Sequence, residues 1–183
     1  MLTKEFVTAG RAIFTLEVPE SFINATTHRT PPKPHYTYRV KFKKANGGFQ
    51  DTYFVQLLTG PQNTKDYTYV GILLHQEGKI KLTGKSAFNQ DSWAVKLLDK
   101  VLARVWAGEG HKVEETGFKL YHEGRCGRCG RVLTVPESIE GGIGPICREI
   151  LGLAPLLRNG KVILEDETGA KDNEEEPAVN PFK

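Results

Sequence analysis

The sequence predicts an α+β protein in which an antiparallel β-meander is covered by one helix and followed by a small cysteine-containing module. Residues 6–85 carry the alternation and the turn signals of strands, and residues 93–106 carry apolar residues at helical spacing. The polar and acidic composition of residues 161–183 predicts a disordered tail. We therefore expect a sheet-and-helix domain over 1–110 and a separate module over 111–160.

The first two strands are predicted from runs of β-branched and aromatic residues. FVTAGRAIFTLEV (6–18) is the first strand, and the proline-rich segment 21–34 is expected to be a loop. YTYRVKFKK (36–44) alternates strictly, so its aromatic side chains point one way and its cationic side chains the other. The aromatic face is expected to belong to the core or, alternatively, to stack on nucleic-acid bases. The two faces are Tyr36, Tyr38, Val40 and Phe42 on one side, and Thr37, Arg39, Lys41 and Lys43 on the other.

Two hairpins complete the predicted meander of about five strands. Asn46-Gly47-Gly48 is typical of a tight turn, because Asn and Gly tolerate positive φ, and FQDTYFVQLL (49–58) is the return strand. DYTYVGILLH (66–75) and KIKLT (79–83) are expected to form the second hairpin.

A helix is predicted next, because the apolar period changes from two to about 3.6 residues. Asn89 or Asp91 is expected to cap it, and Gly108 and Gly110 end it. A sheet with one apolar face needs a cover, so this helix is expected to lie on the meander. A further strand is expected in HKVEETGFKLY (111–121).

The charge is unevenly distributed along the chain. Residues 1–160 hold 22 Lys and Arg against 15 Asp and Glu, whereas residues 161–183 hold 3 against 7. A basic body attracts polyanions, although this surplus also serves solubility. No apolar run is long enough to cross a bilayer, and MLTKEFVTAGR lacks the features of a secretory signal. We therefore expect a cytoplasmic protein without a membrane partner.

The chain has three cysteines, and two of them are separated by only two residues. Cys126 and Cys129 form a C-x-x-C pair, and Cys147 follows at a distance found in zinc ribbons. Gly127 and Gly130 allow the turn to tighten so that both sulfurs reach one ion. A redox disulfide is the alternative, but that motif is typical of a βαβ unit, which the preceding sequence does not predict. We therefore expect one structural Zn²⁺ ion.

The fourth zinc ligand is expected to be a histidine. His122 lies four positions before Cys126, and His111 and His75 are the competitors. A closed Cys₃His site leaves no position for a bound water, which argues against zinc catalysis.

The segment HEGRCGRCGRVLTVPESIEGGIGPIC (122–147) resembles a domain family of unknown function found in many bacteriophage and bacterial proteins. The shared pattern is Cys-Gly-x-Cys-Gly-Arg, then Leu-Thr, then Ser, then Gly-Ile-Gly-Pro-x-Cys, and LLTGPQNTKDYTYVGIL (57–73) resembles a segment that often precedes it. The resemblance implies a small, zinc-ribbon-like module, often encoded in phage genomes, with no known activity. It also implies that the metal ligands are His122, Cys126, Cys129 and Cys147.

The loop Gly142-Ile143-Gly144-Pro145 allows two interpretations. It is similar to the hairpin of helix-hairpin-helix DNA-binding motifs, whose backbone amides hold a phosphate, but no first helix is predicted before it. In the alternative, which we favour, the glycines only bend the chain so that Cys147 reaches zinc. A short helix is expected after the loop, with Ile146, Ile150 and Leu151 turned inward.

The predicted function is that of a phage-encoded accessory protein that binds nucleic acid, DNA rather than RNA. Arginine suits phosphate because its planar guanidinium offers paired donors. The alternative is a protein-interaction module, in which the zinc knuckle and the aromatic strand face engage or inhibit a host protein. Motifs of NTPases, zincins, α/β-hydrolases and zinc deaminases are absent from the sequence, which favours a role other than catalysis. The predicted nucleic-acid contacts are Arg125, Arg128, Arg131, Arg148, Lys41 and Lys43.

Overall fold

A six-stranded antiparallel sheet is the largest element of the fold. The computed structural model describes residues 2–28, 30–46 and 50–164. The strands of the sheet are, in chain order, β1 (Arg11–Glu17), β2 (His35–Lys43), β3 (Thr52–Leu58), β4 (Tyr67–Leu74), β5 (Lys79–Lys81) and β6 (Lys119–His122). Their order across the sheet is β5-β4-β3-β2-β1-β6, so β1 to β5 form the predicted meander. The α+β prediction is confirmed, and β6 is an additional strand beside β1.

Short helices and one small hairpin surround this sheet. The helices are α1 (Lys4–Val7), α2 (Glu20–Ala25), α3 (Trp93–Trp106), α4 (His111–Glu115), α5 (Pro136–Gly141) and α6 (Pro145–Ile150). The hairpin pairs β7 (Leu157–Arg158) with β8 (Lys161–Val162). Within the described ranges, none of the helices has both the length and the apolar character that a membrane span requires.

Helix α3 covers one face of the sheet, as its apolar stripe predicts. The Tyr38 hydroxyl donates a hydrogen bond of 2.7 Å to the Ala94 carbonyl and ties the helix to β2. Because this face is covered, Tyr36 and Tyr38 are only 6% and 0% exposed, and the base-stacking alternative is wrong for them. Phe42, at the end of the same strand, is 39% exposed. The buried helix residues are Ala94, Val95, Leu97, Leu98, Val101, Leu102 and Val105.

The structure differs from the sequence prediction at the start of three helices. The Thr3 hydroxyl accepts a hydrogen bond from the Phe6 amide, so α1 forms where the first strand was expected to start. Helix α2 lies in the segment 21–34 that was expected to be a loop. Helix α3 has Ser92 as its N-cap residue rather than Asn89 or Asp91, and the Asn89 side chain instead accepts from the Asp91 amide in the preceding turn.

The elements near both ends of the predicted cysteine module differ from the expected ones. The expected strand over 111–121 begins as α4, and only its end, β6, pairs with β1. The boundary after residue 110 therefore falls before the last strand of the sheet. Residues 161–164, assigned to the tail, include strand β8. The rest of the predicted disordered tail, 165–183, and Gly47-Gly48 of the predicted turn lie outside the described residues.

Candidate metal centre

A tight turn directly after β6 presents the first two cysteines. Arg125 pairs with Val132 in an isolated antiparallel bridge, and the Cys126 amide donates to the Arg131 carbonyl over 2.8 Å. The Gly130 amide donates a hydrogen bond of 2.9 Å to the Cys126 carbonyl. Gly130 has a φ of 81°, a backbone conformation that residues with a side chain rarely adopt. This geometry places both sulfurs on the same side of the turn.

The third cysteine arrives from helix α6. Helix α5 ends at Gly142, whose left-handed φ of 68° reverses the chain, and Pro145 begins α6. Cys147 therefore lies in the first turn of α6 and points back towards the turn that carries Cys126 and Cys129, which we call the knuckle. The Sγ atoms of Cys126, Cys129 and Cys147 all lie within 4.8 Å of one another.

The donor set fits a soft or borderline metal ion. All three cysteines are free of disulfides, and Cys126 and Cys147 are buried. A tetrahedral ion with metal–sulfur bonds of about 2.3 Å holds its sulfurs roughly 3.8 Å apart. Three thiolates at the observed spacing can reach that arrangement with small side-chain rotations. The cluster can therefore hold a metal ion.

The protein environment acts in opposite directions on two of the thiols. Burial opposes ionisation of Cys126, but backbone amides of Cys129, Gly144 and Arg128 donate to its sulfur, and its pKa is lower than usual. Burial and the neighbouring cysteines raise the pKa of Cys147 to about 12. One negative charge is thus stabilised, and further charges are not. A divalent cation at the centre would stabilise all three thiolates together.

The Gly144 amide bears on the two interpretations of the Gly-Ile-Gly loop. Helix α5 supplies the first helix that the sequence did not predict, so the segment is a helix–turn–helix in shape. However, the Gly144 amide faces the Cys126 sulfur and helps to lower the pKa of that thiol. This favours the interpretation in which the glycines bend the chain to complete the cysteine cluster.

The apolar side chains of α6 are arranged differently from the prediction. Ile146, Ile150 and Leu151 are 49%, 58% and 39% exposed, so the expectation that they turn inward is wrong. Ile143, in the loop, is fully buried instead. The short helix points Cys147 at the cluster, and this orientation leaves Ile146 and Ile150 on the outside.

The structure does not bring His122 into the cluster. Its Nδ1 accepts a hydrogen bond from the Gly124 amide over 3.1 Å, and its Nε2 faces the Ile139 carbonyl. Both ring nitrogens are therefore engaged by the backbone, which fixes the tautomer protonated on Nε2. Among the described residues, the group that can hold a metal consists of the three cysteines, so neither His111 nor His75 replaces His122. With His122 outside the cluster, the three cysteines do not form a closed Cys₃His site, so closure of the site no longer speaks against catalysis.

The predicted nucleic-acid contacts lie in three kinds of position. Arg128 Nη1 lies 3.9 Å from the Cys147 sulfur, and Arg148 Nε donates to the Ala154 carbonyl over 2.8 Å, so both serve the module itself. Arg131 is exposed on the knuckle, and Lys43 is exposed at the end of β2. Lys41 and Arg125 line a cleft between the sheet and the knuckle.

This basic cleft has a volume of about 460 Å³. Burial and the charges of Arg39 and Arg11 lower the pKa of Lys41. Within the described ranges, none of the four cations at the cleft has a carboxylate within ion-pair distance. The lining side chains are Arg11, Ile13, Arg39, Lys41, Phe42, Glu123, Arg125 and Cys126. Four cations therefore face one carboxylate.

Phe6 is a site residue that the sequence did not reveal. Its ring lies where a Cβ on Gly127 or on Gly142 would stand, and its centroid is 5.4 Å from that of His122. Phe6 is 2% exposed. Helix α1 thus packs against the metal module, by which we mean residues 124–152 around the three cysteines. The Arg11 amide also donates a hydrogen bond of 2.6 Å to the Gly127 carbonyl. Nothing in the local pattern around Phe6 signals this long-range contact.

Comparison with known families supports the resemblance of the cysteine segment. Residues 121–152 match a family of unknown function, DUF6011, and the matched segment contains all three cysteines together with His122. Neither the curated proteins nor the solved structures give a significant match to the chain.

Proposed function

We propose that this chain is a zinc-binding accessory protein that binds nucleic acid next to its metal centre. The three clustered thiols support the zinc, because Zn²⁺ favours cysteine ligands and structural sites of this kind stabilise small modules. The resemblance of residues 122–147 to domains common in bacteriophage supports a phage origin.

The basic cleft is the observation that carries the nucleic-acid proposal. Arg11, Arg39, Lys41 and Arg125 surround it without carboxylate partners in the described part of the chain. Cations left without counter-charges have a strong tendency to recruit phosphates, and each phosphate contact releases condensed counterions. The metal module forms one wall of the cleft, so zinc would hold that wall in place. DNA is the first polymer to test.

The metal part of the proposal is tested by metal analysis of the purified chain. We expect about one zinc per chain, lost in Cys147→Ser and retained in His122→Ala. A cobalt-substituted sample reports the number of thiolates through its sulfur-to-metal absorption. Absence of stoichiometric metal from a reduced and folded sample contradicts the proposal, whereas loss of metal in His122→Ala restores histidine as a ligand.

The nucleic-acid part is tested by binding as a function of salt. The double variant Arg11→Gln, Lys41→Gln is expected to bind DNA at least tenfold more weakly and to show a salt slope smaller by about 1 to 2. Lys100→Gln is the matched control, because Lys100 is exposed on α3, over the opposite face of the sheet. No binding of the parent chain to single or double strands at low salt contradicts this part.

A second candidate function, protein interaction, has its own observation. The module exposes several aliphatic side chains, and such groups on a small surface are typical of partner sites. A host-protein complex that survives nuclease treatment and is lost in Ile150→Glu supports this candidate over the first. The exposed residues are Ile139, Ile146, Ile150 and Leu151.

A further inference from the structure

The outer face of the sheet, opposite α3, combines cations with aromatic rings. Antiparallel register sets Arg11 opposite Lys41, and Lys41 opposite Phe54. The next row sets Arg39 opposite Gln56, and Gln56 opposite Tyr69. Directly paired residues share a face of the sheet with Cβ atoms about 5 Å apart. The two rows therefore form one continuous patch, which we call the outer patch.

The rings of the outer patch are held in fixed positions. The centroids of Phe54 and Tyr69 are 6.2 Å apart. The Arg39 guanidinium lies 3.7 Å from the centroid of Tyr67, and its Nε donates to the Gln56 side chain over 3.0 Å. A guanidinium held over an aromatic ring can offer its other face to a further planar group. The patch thus offers planar surfaces whose positions are set by the sheet.

The exposure of the outer patch distinguishes it from the core face. Arg11 and Lys41 are exposed, and Phe54 and Tyr69 are half-buried, whereas Val55 on the opposite face is 1% exposed. The patch is continuous with the basic cleft, because Arg11, Arg39 and Lys41 belong to both. A nucleic acid whose phosphates lie in the cleft would therefore also contact the aromatic rings of the outer patch.

We infer that the outer patch binds single-stranded nucleic acid, with phosphates on Arg11, Lys41 and Arg125 and unpaired bases on Arg39, Phe54 and Tyr69. Bases within a duplex already stack on one another, so a duplex can use the cations but not the rings. Single strands gain from both, because exposed bases stack on aromatic and guanidinium planes. This inference rests on the proposed function and adds the class of nucleic acid.

The experiment compares one fluorescent DNA oligonucleotide as a single strand and as a duplex with its complement, using the full chain. The double variant Phe54→Leu, Tyr69→Leu is expected to lower single-strand affinity about tenfold or more, and to leave duplex affinity unchanged. Tyr53→Leu is the matched control: Tyr53 precedes Phe54 in β3, faces the other side, and is also half-buried. We expect the control to bind both forms like the parent chain.

Several outcomes overturn the inference. Equal loss of single-strand and duplex binding in the double variant, or no loss at all, removes the rings from recognition. The proposed function still stands in that case if Arg11→Gln, Lys41→Gln weakens binding as expected. Absence of any binding by the parent chain removes the proposed function as well. Aromatic proton shifts of Tyr69 in the unsubstituted chain on adding the single strand provide a measurement that does not depend on how the variants fold. Unchanged shifts at saturation count against the inference.

Discussion

The sheet domain and the metal module are stabilised in different ways. The sheet buries an apolar core between its strands and α3, with Tyr38, Phe14 and Leu98 at most 1% exposed. The module buries few apolar residues, of which Leu133, Val135 and Ile143 are examples, and it places three thiols at its centre. The sheet has the burial that folding requires, whereas the module needs a cross-link between its short elements.

The two regions are nevertheless joined through the N-terminus. Phe6 fills the space beside Gly127 and Gly142, and the Arg11 amide donates a hydrogen bond to the Gly127 carbonyl. The module is therefore positioned by the sheet domain, and under the proposed function its internal order would depend on a bound metal ion. Local cysteine spacing therefore indicates the chemistry of the module, whereas residues distant in the sequence, such as Phe6 and Arg11, determine where the module is attached to the sheet.

Metal removal is expected to have the largest effect, because it should unfold the metal module and leave the sheet domain folded. Structural zinc sites contribute roughly 10–16 kcal/mol in zinc-finger peptides, so chelation or Cys147→Ser is expected to disorder residues 124–152 while the sheet stays folded. Trp93 and Trp106 both lie in α3, so tryptophan fluorescence follows the sheet domain alone. Amide NMR follows the module. Simultaneous loss of both signals would show that the regions unfold as one unit.

Phe6→Ala tests the joint between the regions. Loss of a buried phenylalanine costs about 3–5 kcal/mol, and here we expect weaker zinc binding as well, because the floor of the module is removed. Phe14→Ala is the matched control, since Phe14 is 1% exposed in the sheet core. It is expected to lower sheet stability similarly with little change in zinc affinity. Competition with a chromophoric chelator measures the affinity, and equal affinities in the two variants would refute the anchoring role.

A pair of glycine substitutions refines the same comparison. Gly142 and Gly124 both adopt a φ of 68°, but an added Cβ meets Phe6 only at Gly142, and nothing lies within 4 Å at Gly124. Each alanine is expected to cost about 1–2 kcal/mol from backbone strain, and Gly142→Ala a further 1–3 kcal/mol, roughly, from overpacking. Thermal unfolding of the zinc-loaded chains measures the difference. Equal losses would mean that Phe6 moves aside freely.

The smallest expected effect concerns pH and the Glu137–Arg158 pair, which links α5 to the β7–β8 hairpin over 2.6 and 2.8 Å. The Arg158 side chain lowers the pKa of Glu137 to about 2, so the pair stabilises the fold above pH 5, approximately, and this contribution is lost as pH falls towards 2. Carboxyl NMR titration of Glu137 checks the direction. Glu137→Gln is expected to remove this part of the acid sensitivity, and Glu140→Gln on the same helix is the control.

Much of the fold was predictable because its signals are local. The alternation in YTYRVKFKK and the helical stripe between Trp93 and Trp106 each act over neighbouring residues, and both elements formed as predicted. Strand β6 was missed in part because its partner is distant in the sequence. Leu120 pairs with Leu16, and almost the whole sheet domain lies between these two residues along the chain. Helix α1 was missed because one capping bond from Thr3 outweighed the strand propensity around Phe6.

The candidate site, like the fold, was predicted only where its signals are local in the sequence. The spacing of Cys126, Cys129 and Cys147 indicated the cluster, but spacing does not determine ring orientation, and the backbone engages both nitrogens of His122. Arg11 was not among the predicted contacts, because its position opposite Lys41 depends on the register of β1 and β2, which the intervening segment does not encode.

The position of β1 inside the sheet has a practical consequence for dividing the chain. β1 pairs with β2 on one side and with β6 on the other. A fragment that stops at residue 110 would keep a complete meander and α3, yet the backbone groups of β1 that face β6 between Phe14 and Glu17 would lose their partners. An uncovered strand of this kind readily recruits the same strand of a second copy. A monomeric sheet domain therefore requires a fragment that extends past His122.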